Sequence, residues 1–392
     1  MSDQTAAAGP APPPDQSPPP DQSPPPDQSL APDPSQAPKR RLTRRTIRLA
    51  PRTISLVAGL VATAVSGAVL FGLPVPYVLE TPGPTFDVLG SQDGQEMIQV
   101  DRQPSHQVTG ELRLTTVGAN GSDPGSLSLF QLVEGYFDGD DALVPYDLIY
   151  PRESSSAERE AISAAEMTSS QDSATAAALE YLGLSVGVQI AEPQSDAAKQ
   201  VLEPGDELTS IDGQPVEGFA SLKALVDQVG AGEEVEVGLI RQGAARTVRL
   251  RTVQGQDGRA LLGVTVEFSF PVEVEFGVED IGGPSAGAMF ALGIIDKLGP
   301  DDLADGRVIA GTGTVDADGS IGAIGGIRQK MIGARRDGAE VFLAPEANCD
   351  EVARHEPAGL RVVAVASLDD AVRALAALRS GEDADLPGCP TR

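Results

Sequence analysis

The sequence predicts an α+β fold behind a single membrane-spanning helix, and three observations predict it. A run free of charge extends from Ile54 to Leu73, and an Ala- and Glu-rich stretch follows at 157–182. Residues 184–252 then alternate short apolar strands with one amphipathic helix. With 392 residues, the chain is long enough for two compact domains and extensions.

Residues 1–53 form a Pro-rich tail with a basic end. Three tandem copies of Pro-Pro-Pro-Asp-Gln-Ser run from Pro12 to Ser29. With almost nothing apolar to bury, this tail is expected to stay disordered or polyproline-like. A solvated tail is favoured over a ligand for an SH3-like partner. The basic residues Lys39, Arg40, Arg41, Arg44, Arg45, Arg48 and Arg52 stand directly before the run 54–73. Twenty helical residues reach about 30 Å, the thickness of a bilayer's hydrocarbon core. The basic cluster predicts a cytoplasmic N-terminus and an extracytoplasmic body after residue 73, so membrane lipid is an expected partner through one anchor. A cleaved signal peptide is the rival, since Ala64-Val65-Ser66 loosely resembles a cleavage site, but the apolar run continues past it. Gly59, Thr63 and Gly67 form a small-residue stripe, a pattern that recurs by chance in such helices, so a homo-oligomer stays open.

Past the anchor, 74–182 is an N-terminal extracytoplasmic region in which 110–117 alternate like a strand and 157–182 read as helix, ending before Gly183. Pro204-Gly205-Asp206 leads into a strand Glu207–Ile211, closed by the turn Asp212-Gly213. Ser221 is expected to cap a helix Leu222–Val229. Val235–Arg241 and Thr247–Arg251 are expected to pair around Gln242-Gly243. This layout over 183–253 resembles a PDZ domain, through Leu202-Glu203-Pro204-Gly205-Asp206-Glu207-Leu208 and Ile211-Asp212-Gly213-Gln214-Pro215-Val216. The resemblance implies that an extended peptide or C-terminus adds a strand beside the helix, with the carboxylate loop expected near Gly183–Gly187. A structural spacer is the bland alternative.

Composition excludes several functions. The net charge is −28, and the tail holds more basic than acidic groups, so the main body is strongly acidic and repels phosphate backbones. No nucleic-acid partner is expected. Two histidines, His106 and His355, and two distant cysteines, Cys349 and Cys389, offer neither HExxH nor a zinc cluster. No metal and no cofactor is expected. An extracytoplasmic location permits a disulfide, and Cys349 is expected to pair with Cys389.

Chemistry concentrates in 254–381, ahead of a short tail at 382–392. Gly282-Gly283-Pro284-Ser285-Ala286-Gly287 opens a helix to about Leu298. Glycines allow a sharp bend, Pro284 suits a first helical position, and free N–H groups at a helix start favour an oxyanion. On this segment alone, a nucleophile and a simple capping serine are equally good readings. Among the bases, Lys297 lies twelve residues along the same helix, about 18 Å away. His355 sits in a polar, solvated stretch. Lys330 follows Ile324-Gly325-Gly326, one turn into a helix Ile327–Arg336 with Met331, Ile332 and Ala334 for company. A serine–lysine dyad is therefore the available arrangement.

These residues resemble the Lon peptidase family. The matching motifs are Gly283-Pro284-Ser285-Ala286-Gly287 and Gly325-Gly326-Ile327-Arg328-Gln329-Lys330, with Gly311-Thr312-Gly313 between them and Ala339–Asn348 after them. With the anchor, Pro76-Tyr77 and Pro82-Gly83-Pro84-Thr85, the layout is similar to bacterial membrane-anchored, PDZ-containing Lon-like proteins. Two departures stand out: no GxxxxGK[ST] phosphate loop occurs, and Gly282 stands where the family often has an acid, with Asp280 two residues earlier. The resemblance implies Ser285 as nucleophile, Lys330 as base, Thr312 orienting the lysine, and an oxyanion hole around Gly283 and Ser285. It also implies that 110–182 and 254–381 form one Lon-type proteolytic domain interrupted by the PDZ-like module, with Val264–Phe270 as one of its strands. The expected activity is ATP-independent endopeptidase action on extracytoplasmic proteins with extended segments. A catalytically dead PDZ scaffold is the alternative.

Overall fold

The computed structural model describes residues 51–92, 94–101, 106–123, 125–150, 155–255, 258–277, 281–382 and 385–390. The Pro-rich repeats, the basic residues up to Arg48, and Asp280 lie outside the described residues. The charge-free run forms the helix Pro51–Phe71, which ends two residues before Leu73. Its stretch Arg52–Phe71 has a mean hydropathy of 2.2 and is long and apolar enough to cross a membrane. Leu56 and Leu60 on it are exposed.

A six-stranded mixed sheet follows. Its order is Arg361–Val365, Val341–Pro345, Val308–Gly311, Glu111–Asn120, Tyr77–Asp87, Ala142–Pro145. The first four strands pair in parallel and the last two join antiparallel. Continuous apolar runs such as Val341–Pro345, buried at every position, suit strands covered on both faces. The core under this sheet draws Leu112, Leu114 and Met167 from before residue 183, and Met289, Phe290 and Ile309 from after residue 253. The long helix Ser156–Tyr181 is capped by Ser155, whose side chain accepts the Glu158 N–H. Its buried Ala174, Ala177 and Ala178 let it pack against the helix Gly287–Leu298.

A second, antiparallel sheet runs Ala244–Arg251, Glu234–Arg241, Glu207–Ile211, Gly187–Pro193, Val264–Ser269. The hairpin between its first two strands turns at Gln242 and Gly243, both with positive φ, the geometry that matches strand twist. Val188, Ile190, Leu208, Leu222, Val237 and Leu239 form its separate core.

Two expectations are corrected here. Val264–Ser269 belongs to this second sheet rather than to the first: it pairs antiparallel with Gly187–Pro193, and Val264, Val266 and Phe268 pack on the second sheet's own core. Period-two alternation identifies a strand without saying which sheet receives it. The helix spans Phe219–Val229, starting earlier than Leu222, and Gly218 is its cap. Ser221 instead reaches back, its Oγ accepting from the Glu217 and Gly218 N–H groups.

Cys349 and Cys389 are joined by a disulfide across 40 residues. It ties the tail to the start of the helix Cys349–His355. Reduction is expected to lower unfolding free energy by about 3–4 kcal/mol in the chain-entropy account. Urea titration with and without reductant measures this, and an unchanged midpoint refutes it.

Candidate active site

Ser285 lies in the 3-10 turn Pro284–Ala286 that leads into the helix Gly287–Leu298. Gly283, at φ +85°, makes the reversal before it, a conformation that side chains disfavour. Behind the turn, the helix is buried from Gly287 to Lys297, and Ser170 of the long helix donates its hydroxyl to the Pro284 carbonyl at 3.1 Å. The serine is thus held on a rigid support.

Lys330 comes from the helix Ile327–Arg336. That helix starts at Gly326 in the left-handed region (φ +67°), where a Cβ would approach Val117 Cγ2 to 2.8 Å. Asn348 fixes the preceding loop, accepting the Ile324 N–H at 3.0 Å and donating to the Ile324 carbonyl at 2.9 Å. At the far end of the helix, Asp337 accepts from the Thr85 N–H and hydroxyl, and Arg336 donates to the Gly83 carbonyl. The strand Tyr77–Asp87 is therefore clamped to the lysine helix.

The structure brings Ser285, Lys330 and Thr312 together. Lys330 Nζ lies 2.7 Å from Ser285 Oγ and 3.0 Å from Thr312 Oγ1. Thr312 donates its hydroxyl to the Ser285 carbonyl at 3.0 Å, and the Gly313 N–H donates to the same oxygen at 2.9 Å. Lys330 is only 3 % exposed. Burial pulls its amine down from the ordinary 10.5 to about 8, and the nearby Glu80 carboxylate opposes that fall. Burial likewise raises the Glu80 carboxyl, Glu351 adds to this, and Lys330 acts against it. A cleft of about 590 Å³ opens over the pair, lined by Glu80, Thr116, Met167, Ile281, Ser285 and Lys330.

Gly283 stands in the same cleft, but its N–H donates to the Ser163 carbonyl at 3.3 Å. Lys297 is elsewhere, bonded to Glu96 and the Ile98 carbonyl. His355 is exposed, its Nδ1 3.0 Å from the Glu351 carbonyl. Sequence reasoning missed Glu80, whose signal is a lone acid directly after the apolar stretch Tyr77–Leu79, and the clamp made by Arg336 and Asp337, which left no local signal.

The PDZ-like module carries a second cleft, of about 600 Å³, between the helix Phe219–Val229 and the strand Val264–Ser269. Leu222, Val226, Leu262 and Val266 line it, and Leu261-Leu262-Gly263 leads into the strand. This corrects the expected carboxylate loop at Gly183–Gly187. Gly187 opens a strand that pairs with Val264–Ser269 on one side and with Glu207–Ile211 on the other, leaving no free edge for a peptide.

A buried lysine amine within hydrogen-bond reach of a serine hydroxyl can take that hydroxyl's proton when the serine bonds to an electrophile. Residues 269–377 match the Lon protease (S16) C-terminal proteolytic domain family, and residues 164–252 match the PDZ domain family. The chain thus carries a Lon-type serine-protease domain together with a PDZ domain. Among curated proteins, it is 26 % identical over 175 residues to the Lon protease of Mesomycoplasma hyopneumoniae, covering 43 % of this chain and 19 % of that protein. It is 37 % identical over 92 residues to the archaeal Lon protease of Methanocaldococcus jannaschii, covering 24 % and 14 %. It is 39 % identical over 67 residues to the periplasmic serine endoprotease DegP of Salmonella typhimurium, covering 17 % and 14 %. The chain spans less than a fifth of the length of each of these relatives.

Proposed function

We propose that the chain is a membrane-anchored serine endopeptidase that cleaves extended segments of extracytoplasmic proteins without ATP. The observation that carries the proposal is the 2.7 Å approach of a buried Lys330 amine to the Ser285 hydroxyl. The free amine takes the hydroxyl proton as Ser285 Oγ bonds to the scissile carbonyl carbon. The ammonium so formed returns the proton to the departing amine, leaving an acyl-enzyme and a cleaved peptide bond. Water then gives a proton to the Lys330 amine as its oxygen bonds to the ester carbon; the acyl–Oγ bond breaks, and the ammonium returns that proton to Ser285 Oγ, releasing the carboxylic acid product. Thr312 fixes the direction of the amine. Service of the Gly283 N–H as an oxyanion donor requires substrate to displace its bond to Ser163.

In this reading, residues 77–181 and 271–380 make one peptidase body with the PDZ domain inserted, supported by their shared sheet and core. The apolar cleft of the PDZ domain recruits an extended chain along the free edge of Val264–Ser269. The basic residues before the apolar helix support a cytoplasmic N-terminus.

Full-length chain in detergent is expected to cut an unfolded model protein without nucleotide, and Ser285→Ala to abolish cutting. Peptide binding without hydrolysis by the unaltered chain would overturn the proposal in favour of a tethering protein.

A further inference from the structure

The segment that leaves the apolar helix does not run off as a linker. The Val75 N–H donates to the Leu127 carbonyl at 2.9 Å, and the Leu129 N–H donates to the Leu73 carbonyl at 2.9 Å. Pro74 and Ser128 form a bridge between these bonds. They fasten the end of the apolar helix to the start of a second helix, Leu129–Phe137, capped by Ser128 and Gln131. The Phe71 ring, on the last residue of the apolar helix, meets the Phe130 ring edge-on at 6.2 Å.

The second helix presents an uncovered apolar face. Phe130, Val133 and Phe137 fall at spacings of three and four, on one side of the helix. Phe130 is 56 % exposed, Tyr136 72 % and Phe137 80 %. Leu148, shortly beyond in the chain, is 77 % exposed. Phe130 touches the end of the apolar helix, and an apolar helix face bearing phenylalanines at that level matches helices that lie at the boundary of headgroups and acyl chains.

We infer that the helix Leu129–Phe137 lies in the outer interface of the bilayer that the apolar helix crosses, docking the peptidase body on the membrane. The inference rests on the anchoring proposed above and adds a second contact. The occupant is lipid, because the face continues from the end of the span through backbone hydrogen bonds and a ring contact. Glu134, Asp138 and Asp140 are exposed on or beside this helix, so attachment is apolar and needs no anionic headgroup. One consequence concerns substrate. Glu80, in the cleft wall, follows Phe71 by nine residues, a reach of at most about 30 Å. The site is then held near the surface, where segments emerging from the membrane are the nearest extended chains.

The chain has no tryptophan, so Phe137→Trp introduces a lone reporter at an already exposed position. The full-length variant is reconstituted into phosphatidylcholine vesicles, with or without bromine on the upper acyl carbons, and floated on a density gradient. The expected result is co-flotation, blue-shifted emission, and loss of about half the emission or more in brominated vesicles, as for indoles at the interface. Co-flotation with unshifted, unquenched emission overturns the docking and leaves the anchor standing. Shifted but unquenched emission overturns it in favour of a protein neighbour, such as a second copy. Failure to float overturns the anchoring and the docking with it.

Discussion

Lys330→Met is expected to abolish peptide hydrolysis while making the protein harder to unfold. Loss of a positioned base costs roughly 10²–10⁴-fold in kcat/KM. The gain in stability has a separate origin. Holding an amine near 8 that ordinarily titrates at 10.5 costs the folded state about 3 kcal/mol in the charged form. Below pH 8 both folded and unfolded chains carry the ammonium, so the cost is paid in full. Between about 8 and 10.5 the unfolded chain binds more protons than the folded one, and stability rises with pH. Methionine removes the buried charge but forfeits the bonds to Ser285 and Thr312, so the net gain at neutral pH is about 1–3 kcal/mol. Activity titrates with the same group and in the same sense: kcat/KM rises with pH and levels off above about 8 as the free amine accumulates. Lys330→Arg stays inactive at every pH, because a guanidinium does not deprotonate in proteins. A flat profile from pH 5 to 10, or a Lys330→Met chain that still cleaves, removes Lys330 from the mechanism.

The candidate site was legible because its parts are local in sequence. A glycine-rich bend before Ser285, a helix start before Lys330, and Thr312 at a strand end each announce themselves within a few residues. The helix that carries Lys330 announced itself as well, since Ile327–Arg336 has the bounds that turn residues predict, and so did the PDZ strand Glu207–Ile211. What stayed hidden is nonlocal. Val264–Ser269 alternates as any half-buried strand does, and only its partner Gly187–Pro193, some 70 residues earlier, assigns it to the PDZ sheet. The clamp of Asp337 on Thr85 spans 252 residues. The PDZ cleft was misplaced for the same reason, since its wall is that late strand. Removing 184–252 alone would strip Val264–Ser269 of the strand it pairs with, its only partner strand among the described residues, and expose Val264, Val266 and Phe268. A deletion that leaves a sound peptidase body has to extend through Ser269.

Arg241→Met is expected to have the largest effect on stability outside the peptidase core, and to confine that effect to the PDZ domain. The Asp206 carboxylate is 1 % exposed, and Arg241 grips it with two bonds of 2.6 Å. The same guanidinium donates to the Val201 carbonyl and to Glu203, pinning Leu202–Asp206 against the strand Glu234–Arg241. Burial pushes the Asp206 carboxyl up, but the Arg241 hydrogen bonds, the Glu203 N–H and the cationic charge outweigh it and hold the group below its ordinary 3.8. Its contribution is therefore present at neutral pH and is lost as pH falls through that depressed value. Breaking such a pair from one side leaves a buried charge uncompensated and costs about 3–5 kcal/mol. Because the PDZ core of Val188, Leu208 and Val237 is separate from the core around Met289 and Phe290, the loss should stay local. Hydrogen exchange should accelerate over Glu207–Ile211 and Glu234–Arg251, with little change over Val308–Gly311 and Val341–Pro345. Small peptides should still be cleaved while protein substrates are cut more slowly. The double change Asp206→Leu with Arg241→Met should recover most of the loss, since an apolar pair replaces a buried ion pair at little cost. Equal acceleration of exchange in both sheets would show instead that the two domains unfold as one cooperative unit.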